Sequence, residues 1–216
     1  MKNLYLICLL FIISACGTPT TEERITFTQV DPFLKVFRES NFFPEYDETE
    51  EVAAGEHATF QFAVRAALPL KELSAQVTAF TNEKGTQLQS SPRTGFVDYV
   101  RVGRQTPDRA KDAITSLSHY YPDPIIEQNG QSVTRDVAQP IWISVPVPTN
   151  AEAGTYKATF SLKGKMGNQT FELKKEISVK VYPIVMPQPD LWVTNWFGTS
   201  PDKMKIFNGG KRSEEH

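Results

Sequence analysis

Two consecutive segments alternate strictly between apolar and polar residues, and this alternation limits the fold more than any other feature of the sequence. In Thr155–Lys163, every second residue is Tyr, Ala, Phe or Leu, and in Phe171–Val181 only Lys175 interrupts the apolar row. A period of two is typical of strands with one face in the core and the other in water. Residues 164–168 contain two glycines and predict a hairpin loop that pairs the two strands.

Other short apolar segments predict further strands. Pairs such as Ala54-Gly55 and Asn129-Gly130 separate them and are typical of turns. Seven or more short strands without helical periodicity indicate an all-β domain, an antiparallel, immunoglobulin-like β-sandwich over residues 25–182. The predicted strands outside the hairpin are Ile25–Val30, Ala58–Arg65, Leu73–Phe80, Gly95–Val102 and Ile141–Val147.

A long polar stretch, Gly103–Val137, interrupts the strand pattern. It contains the sequence Tyr-Tyr-Pro-Asp-Pro at 120–124, and a short helix is expected within Asp108–Leu117. A loop of this length in a compact domain is usually functional or packs on a neighbour. We therefore predict a surface loop, in which Asp123 occupies a rigid Pro-Asp-Pro turn.

The N-terminus predicts a bacterial lipoprotein signal. Lys2 precedes an unbroken apolar run, Leu4–Ile13, which is too short to span a bilayer but suits the core of a signal peptide. Cys16 follows two small residues, an arrangement that resembles a lipobox, in which the cysteine is acylated before cleavage. We expect residues 1–15 to be a removed signal peptide and residues 16–24 a lipidated tether to a membrane of the bacterial cell envelope. An ordinary secretory signal with a chance cysteine is the alternative.

The composition of the expected mature chain excludes several classes of site. Cys16 would be its one cysteine, which excludes a disulfide, a cysteine metal site and a thiol nucleophile. The net charge is −2 and no basic cluster is visible, so no nucleic-acid partner is expected. His57 and His119 have no second histidine at ligand-like spacing, and neither a metal nor another cofactor is expected.

The composition changes at Pro183. Three prolines within residues 183–190 predict a stiff interdomain linker. Residues 191–216 begin with an apolar strand, Leu191–Phe197, that has no visible partner downstream. This segment indicates the start of a further domain, so the chain is expected to be a fragment that stops before that domain is complete.

Seven segments carry a resemblance to a known family, and together they cover nearly all of the expected mature chain. The segments are Asp31–Arg38, Gly55–Phe62, Tyr120–Ile126, Gln139–Pro148, Ala153–Tyr156, Thr194–Phe197 and Ser213–His216. In order and approximate spacing, the set resembles the N-terminal domain of glycoside hydrolase family 123 and its relatives.

The resemblance implies a β-sandwich packed against a (β/α)₈ barrel, of which residues 191–216 would be the truncated start. In the family, the barrel removes terminal N-acetylgalactosamine from glycans or glycolipids by a retaining, substrate-assisted reaction. An adjacent Asp-Glu pair serves that reaction, which departs from the usual two-carboxylate pattern of retaining enzymes. The pair would lie beyond His216, so no residue of this chain is expected to be catalytic.

Four side chains are candidate contacts to a glycan or to a neighbouring domain: Tyr120, Tyr121, Asp123 and Trp142. The apolar neighbours of Trp142 favour a core or interface residue over a sugar-stacking platform. The leading hypothesis is a non-catalytic accessory domain of a membrane-anchored glycoside hydrolase. The alternatives are a stand-alone lipoprotein that binds glycans through Tyr120–Ile126, and a structural adhesion or assembly domain.

Overall fold

The computed structural model describes residues 24–103 and 117–187, which form eleven β-strands and no α-helix. Within this part of the chain, no helix is long and apolar enough to cross a membrane. The strands are β1 Ile25–Val30, β2 Glu50–Ala54, β3 His57–Ala66, β4 Leu70–Val77, β5 Thr81–Asn82, β6 Arg93–Arg101, β7 Tyr120–Ile126, β8 Gln131–Val133, β9 Gln139–Pro146, β10 Gly154–Met166 and β11 Gln169–Val185.

Several sequence predictions fall outside the described residues. These are the signal peptide, the lipidation of Cys16, the barrel start at 191–216 and nearly all of the predicted helix within Asp108–Leu117. The chain divides into two units, Met1–Met186 and Pro187–His216, and every described residue except Pro187 belongs to the first.

The strands form two sheets around one main core. Sheet I has the order β1-β3-β9-β6-β7, and sheet II has the order β2-β11-β10-β4-β8, with β5 also paired to β10. The aromatic side chains of Phe60, Phe62 and Phe160 are fully buried between the sheets, and the Phe62 and Phe160 ring centroids lie 4.4 Å apart. The predicted β-sandwich is confirmed, although β2 and β11 form one parallel pair in it.

The β10–β11 hairpin is longer than its sequence pattern predicts. Thirteen residue pairs join Gly154–Met166 to the facing strand, and the turn consists of Gly167 and Asn168, with Gly167 at a φ of 62°. The predicted five-residue loop is therefore wrong, because Gly164 lies inside β10. A Cβ atom on Gly164 would come 2.8 Å from Leu73 Cδ2 and 2.9 Å from Phe171 Cζ. The missing side chain leaves room for two core residues.

The predicted long loop is also wrong, because its C-terminal part contains β7 and β8. Strand β7 pairs only with β6 and forms an edge of sheet I. An edge strand tolerates Pro122 and Pro124, which lack the N–H group that a central strand must donate. Asp123 thus belongs to an edge strand and not to a Pro-Asp-Pro turn. At the other end of the described chain, β11 continues to Val185, into the segment predicted as a linker.

An irregular segment, residues 31–46, covers part of the outer face of sheet I. Its Val36 and Phe43 form a second, smaller core with Val30, Ala63 and Ala138. Sheet I is therefore covered on both faces in this region, by the main core on one side and by this covering segment on the other.

Gln61 of β3 ties the covering segment to the sheet. Its side chain points away from the main core and is only 5% exposed. The Nε2 group donates hydrogen bonds to the carbonyl oxygens of Asp31 and Leu34, both at 2.9 Å. These bonds fix the start of the covering segment and provide the Leu34 carbonyl oxygen with a partner.

Tyr99 of β6 provides a second tie. Its hydroxyl group lies 3.1 Å from the Val36 carbonyl oxygen and 2.8 Å from that of Ala138. Burial raises the pKa of Tyr99, so the phenol stays protonated and can donate. The covering segment is thus held at two points, and its position determines the shape of the surface beside it.

Candidate functional site

Trp142 lies on the outer face of sheet I between two cavities. Its neighbours Ile141 and Ile143 are fully buried in the main core, so the alternation of β9 directs Trp142 to the opposite face, where it is half-buried. A cavity of about 760 Å³ and one of about 170 Å³ share Trp142 and Pro32 in their linings. Trp142 is therefore not a core residue, and its position suits an interface or a sugar-stacking platform.

We call the larger cavity the Trp142 groove. Its volume of about 760 Å³ falls within the usual range for small-molecule sites. Three aromatic rings and four carboxyl groups contribute to its wall. The lining residues are Asp31, Pro32, Phe33, Tyr46, Glu50, Glu51, Val52, Glu56, His57, Thr59 and Trp142.

Phe33 is the most exposed ring of the groove. A tight turn holds it there: Asp31 Oδ1 accepts a hydrogen bond from the Phe33 N–H at 2.8 Å, and the Leu34 N–H donates to the Asp31 carbonyl oxygen at 2.9 Å. The Phe33 side chain is 93% exposed. A large apolar ring is therefore presented to solvent by a hydrogen-bonded backbone at the groove.

Glu50 and Tyr46 form a half-buried polar pair of the lining. The Tyr46 hydroxyl group interacts with the Glu50 carboxyl group and favours its charged form, and the Tyr46 N–H donates to the Gln29 carbonyl oxygen at 2.9 Å. The Glu50 Oε1 atom is shielded from solvent and accepts no hydrogen bond from the described residues. Burial raises the pKa of Glu50, and the negative charges of Asp31 and Glu48 raise it further.

The other carboxylates of the groove have different partners. Glu51 accepts hydrogen bonds from the Tyr182 hydroxyl group and, at 2.9 Å, from Lys180, and both lower its pKa. Glu56 Oε2 accepts the Ala53 N–H at 2.7 Å and so closes the turn between β2 and β3. Among the ion pairs of the described residues, only Glu51 of the four groove acids takes part. The groove therefore carries a net negative charge.

Asp123 and Trp142 are brought together by the fold. Both line the smaller cavity, where Asp123 is exposed. Gly95 lies opposite Trp142 in the register of β6 and β9, and a Cβ atom on this glycine would clash with Ile125. The glycine thus allows Ile125 of the edge strand to pack beside Trp142.

Tyr120 and Tyr121 contact the covering segment itself instead. The Arg38 guanidinium group lies 4.4 Å from the centroid of the Tyr120 ring, within range of a cation–π interaction. The Tyr121 ring packs edge-on against Phe37 with centroids 5.7 Å apart. These contacts give both tyrosines a structural role. Neither lines the Trp142 groove.

Sequence reasoning did not single out Phe33, Tyr46 or Glu50 as site residues. The available signal was the Asp-Pro-Phe sequence at 31–33, which predicts a turn that can expose an aromatic ring. In the part of the chain that the structure describes, no three His, Cys, Asp or Glu side chains are grouped so that they could hold a metal ion.

Comparisons with known proteins identify the class of the fold and then the family. Residues 41–164, more than half of the chain, match the sequence profile of the glycoside hydrolase 123 N-terminal domain. The structure is also similar to that of a family 123 glycoside hydrolase from Clostridium perfringens, described in a study of glycolipid glycan hydrolysis. That similarity has a TM-score of 0.60 and 14% sequence identity, and covers 76% of this chain and 28% of the other. The chain belongs to the glycoside hydrolase 123 N-terminal domain family.

More distant β-proteins resemble the fold only weakly. The CooA pilin subunit of enterotoxigenic Escherichia coli has a TM-score of 0.36 and 12% identity, over 75% of this chain and 99% of the pilin. The major pilin subunit BcpA of Bacillus cereus has a TM-score of 0.33 and 9% identity, over 73% of this chain and 40% of the pilin. No curated protein matches the sequence.

Proposed function

We propose that this chain is the non-catalytic N-terminal accessory domain of a membrane-anchored glycoside hydrolase, present as a fragment. The parent reaction would be the hydrolysis of terminal N-acetylgalactosamine from glycans. The observation that carries the proposal is the family match over residues 41–164, which begins before β2 and ends within β10. The extent of the structural similarity supports it, because the chain spans 28% of the family 123 glycoside hydrolase that it resembles.

The chemistry of the described acids supports a non-catalytic role. Glycoside hydrolysis needs a carboxyl group directed at one glycosidic bond and a second group that stabilises the developing charge. Glu50 and Glu51 are adjacent acids in the Trp142 groove, but Lys180 and Tyr182 already hold the Glu51 carboxylate. Asp123 lies in the smaller cavity and is exposed to solvent.

Activity assays on the purified chain from Gly17 to His216 test this part of the proposal. We expect no hydrolysis of aryl N-acetylgalactosaminides or N-acetylglucosaminides above the rate in buffer. Turnover that co-purifies with the protein and is abolished by Glu50→Gln or Asp123→Asn would contradict the non-catalytic assignment.

The membrane anchor rests on Cys16 and the apolar run before it. Two or three acyl chains on this cysteine would give lasting attachment, at about 0.8 kcal/mol for each buried methylene group. We expect a Cys16→Ala variant to lose acylation and to move to the aqueous phase in a detergent phase-separation assay. If the variant remains with the detergent although it is not acylated, the apolar run itself is the anchor.

Glycan binding by the same domain is a second candidate function. It is favoured by the Trp142 groove, where the exposed Phe33 ring, two half-buried aromatic rings and four carboxyl groups line one cavity. Such rings offer a flat apolar surface to the C–H face of a sugar, and carboxylates accept hydrogen bonds from hydroxyl groups.

A further inference from the structure

The Trp142 groove combines an aromatic platform with an unbalanced charge, and the core of the sandwich explains neither feature. Phe33 is held 93% exposed by the turn at Asp31, and Trp142 occupies the outer face of a central strand. An exposed and a half-buried aromatic side chain that line one cavity of about 760 Å³ are typical of a binding surface. The first feature is therefore an apolar platform that is open to a ligand.

The second feature is the unbalanced charge of the same groove. Asp31, Glu50 and Glu56 have no ion-pair partner among the described residues, Lys180 is paired with Glu51, and no Lys or Arg belongs to the described lining of the groove. A negative cavity with low-dielectric aromatic walls concentrates cations, and aromatic faces themselves attract ammonium groups. A neutral ligand would leave this charge uncompensated, so charge complementarity favours a cationic one.

We propose that the Trp142 groove binds a saccharide that carries a protonated, unacetylated amino group. The sugar ring lies on the aromatic platform of Phe33 and Trp142, and the ammonium group compensates the charge of the groove carboxylates. This inference rests on the proposed role of the chain as the accessory domain of a glycoside hydrolase, and it names the ligand class of its second candidate function.

A sugar accounts for the groove better than a basic peptide does. A lysine or arginine side chain has one charged group at the end of a narrow aliphatic chain. One carboxylate and one aromatic ring are enough to bind it. The groove instead spreads three aromatic rings and four carboxylates over about 760 Å³. An amino-sugar oligomer presents several C–H faces, hydroxyl donors and ammonium groups along one chain.

The test is calorimetric titration of the chain from Gly17 to His216, which keeps every described residue. The probe is a glucosamine tetramer at about pH 6, where its amines are protonated. We expect binding that weakens with added salt. The N-acetylglucosamine tetramer has the same backbone without the charges. We expect its affinity to be lower by about tenfold or more, because it lacks the charge pairs.

Two variants locate the binding on the protein. Phe33→Ala removes an exposed ring and is expected to abolish measurable binding without a change in thermal stability. Phe42→Ala is the matched control, because Phe42 is 77% exposed and does not line the groove. Glu50→Gln keeps the size of the side chain and is expected to weaken binding of the amino sugar but not of its acetylated form.

The outcomes separate this inference from the function on which it rests. Equal binding of the acetylated tetramer would overturn the charge argument, and equal binding of a tetra-arginine peptide would show a general cation site. No binding of the glucosamine tetramer, or equal loss in Phe33→Ala and Phe42→Ala, would also overturn the inference. None of these results affects the accessory-domain proposal, which depends on the hydrolysis assays.

Discussion

Gly164 offers the sharpest test of the fold, because its sequence context and its structural position predict opposite results for one substitution. If the glycine lay in a hairpin loop, Gly164→Ala would be tolerated. In the structure it lies within β10, and an added Cβ would approach Leu73 Cδ2 to 2.8 Å, Phe171 Cζ to 2.9 Å and the Lys71 carbonyl oxygen to 3.1 Å. Leu73 and Phe171 are both core residues, so neither can move without disturbing the packing.

The expected magnitude follows from two opposing terms. Overpacking a well-filled core costs about 1–3 kcal/mol. Replacing a strand glycine by alanine regains roughly 0.5–1 kcal/mol, because the unfolded chain loses conformational freedom. The midpoints of the two ranges give a net destabilisation of about 1.3 kcal/mol for Gly164→Ala. For a chain of this length it corresponds to a fall in Tm of roughly 3–5 °C.

Urea unfolding followed by Trp fluorescence, together with thermal unfolding, measures this effect. Gly103→Ala is the matched control, because no heavy atom lies within 4 Å of a Cβ at that position. We expect the control to unfold as the wild type does. If Gly164→Ala is as stable as the wild type, the packing of Leu73 and Phe171 around this glycine is not as tight as described.

Two further substitutions test the groove and the covering segment. Burial raises the pKa of Glu50 in the folded state, so ionisation of this group destabilises the protein as pH rises through that pKa. We therefore expect Glu50→Gln to raise Tm at neutral pH. Below the usual pKa range of glutamate, we expect the substitution to have little effect on Tm. An unchanged Tm at both pH values would show that the carboxylate is well solvated. Tyr99→Phe is expected to cost about 1–2 kcal/mol in urea unfolding, because the hydrogen bond that the hydroxyl group shares between the Val36 and Ala138 carbonyl oxygens is lost. Tyr120→Phe keeps its ring over Arg38 and serves as the control, and an equal loss in both variants would refute the specific role of Tyr99.

The strands that alternate most clearly were the most predictable from sequence. Strand β1 has the predicted ends, and the β10–β11 pair follows its apolar row because one face of sheet II meets water. Lys175 in that row is half-buried and pairs with Glu45 at 3.4 Å and with Asp47 at 3.3 Å. The interruption in the pattern therefore marks an ion-paired position near the covering segment and not the end of a strand.

Other elements could not be predicted because their causes are not local. Strand β2 is short and acidic, and it is a strand because β11 pairs with it in parallel from far along the sequence. Strand β7 carries two prolines, which only its place at an edge makes acceptable. The glycine pattern alone also does not distinguish Gly164 in a strand from Gly167 in a turn.

The candidate site was predictable only in part. Alternation in β9 directs Trp142 away from Ile141 and Ile143, so its outward position could have been deduced from the sequence. The groove beside it could not, because it depends on the irregular covering segment, which has no periodicity. Phe33 and Tyr46 reach the groove only because Gln61 and the backbone of Gln29 hold that segment against the sheet.

The parallel pairing of β2 with β11 also determines when the fold can be completed. Positions that this pairing brings together are far apart in the chain. Thr49, the residue before β2, and Ser178 of β11 are separated by 129 residues, and their hydroxyl groups lie 2.7 Å apart. Strand β2 is thus synthesised early and stays without its partner until nearly all of the sandwich has emerged. Contacts of such long range slow folding. Because β2 pairs with β11 alone among the described strands, sheet II cannot be completed until β11 has been synthesised, which makes β11 the strand that closes this sheet.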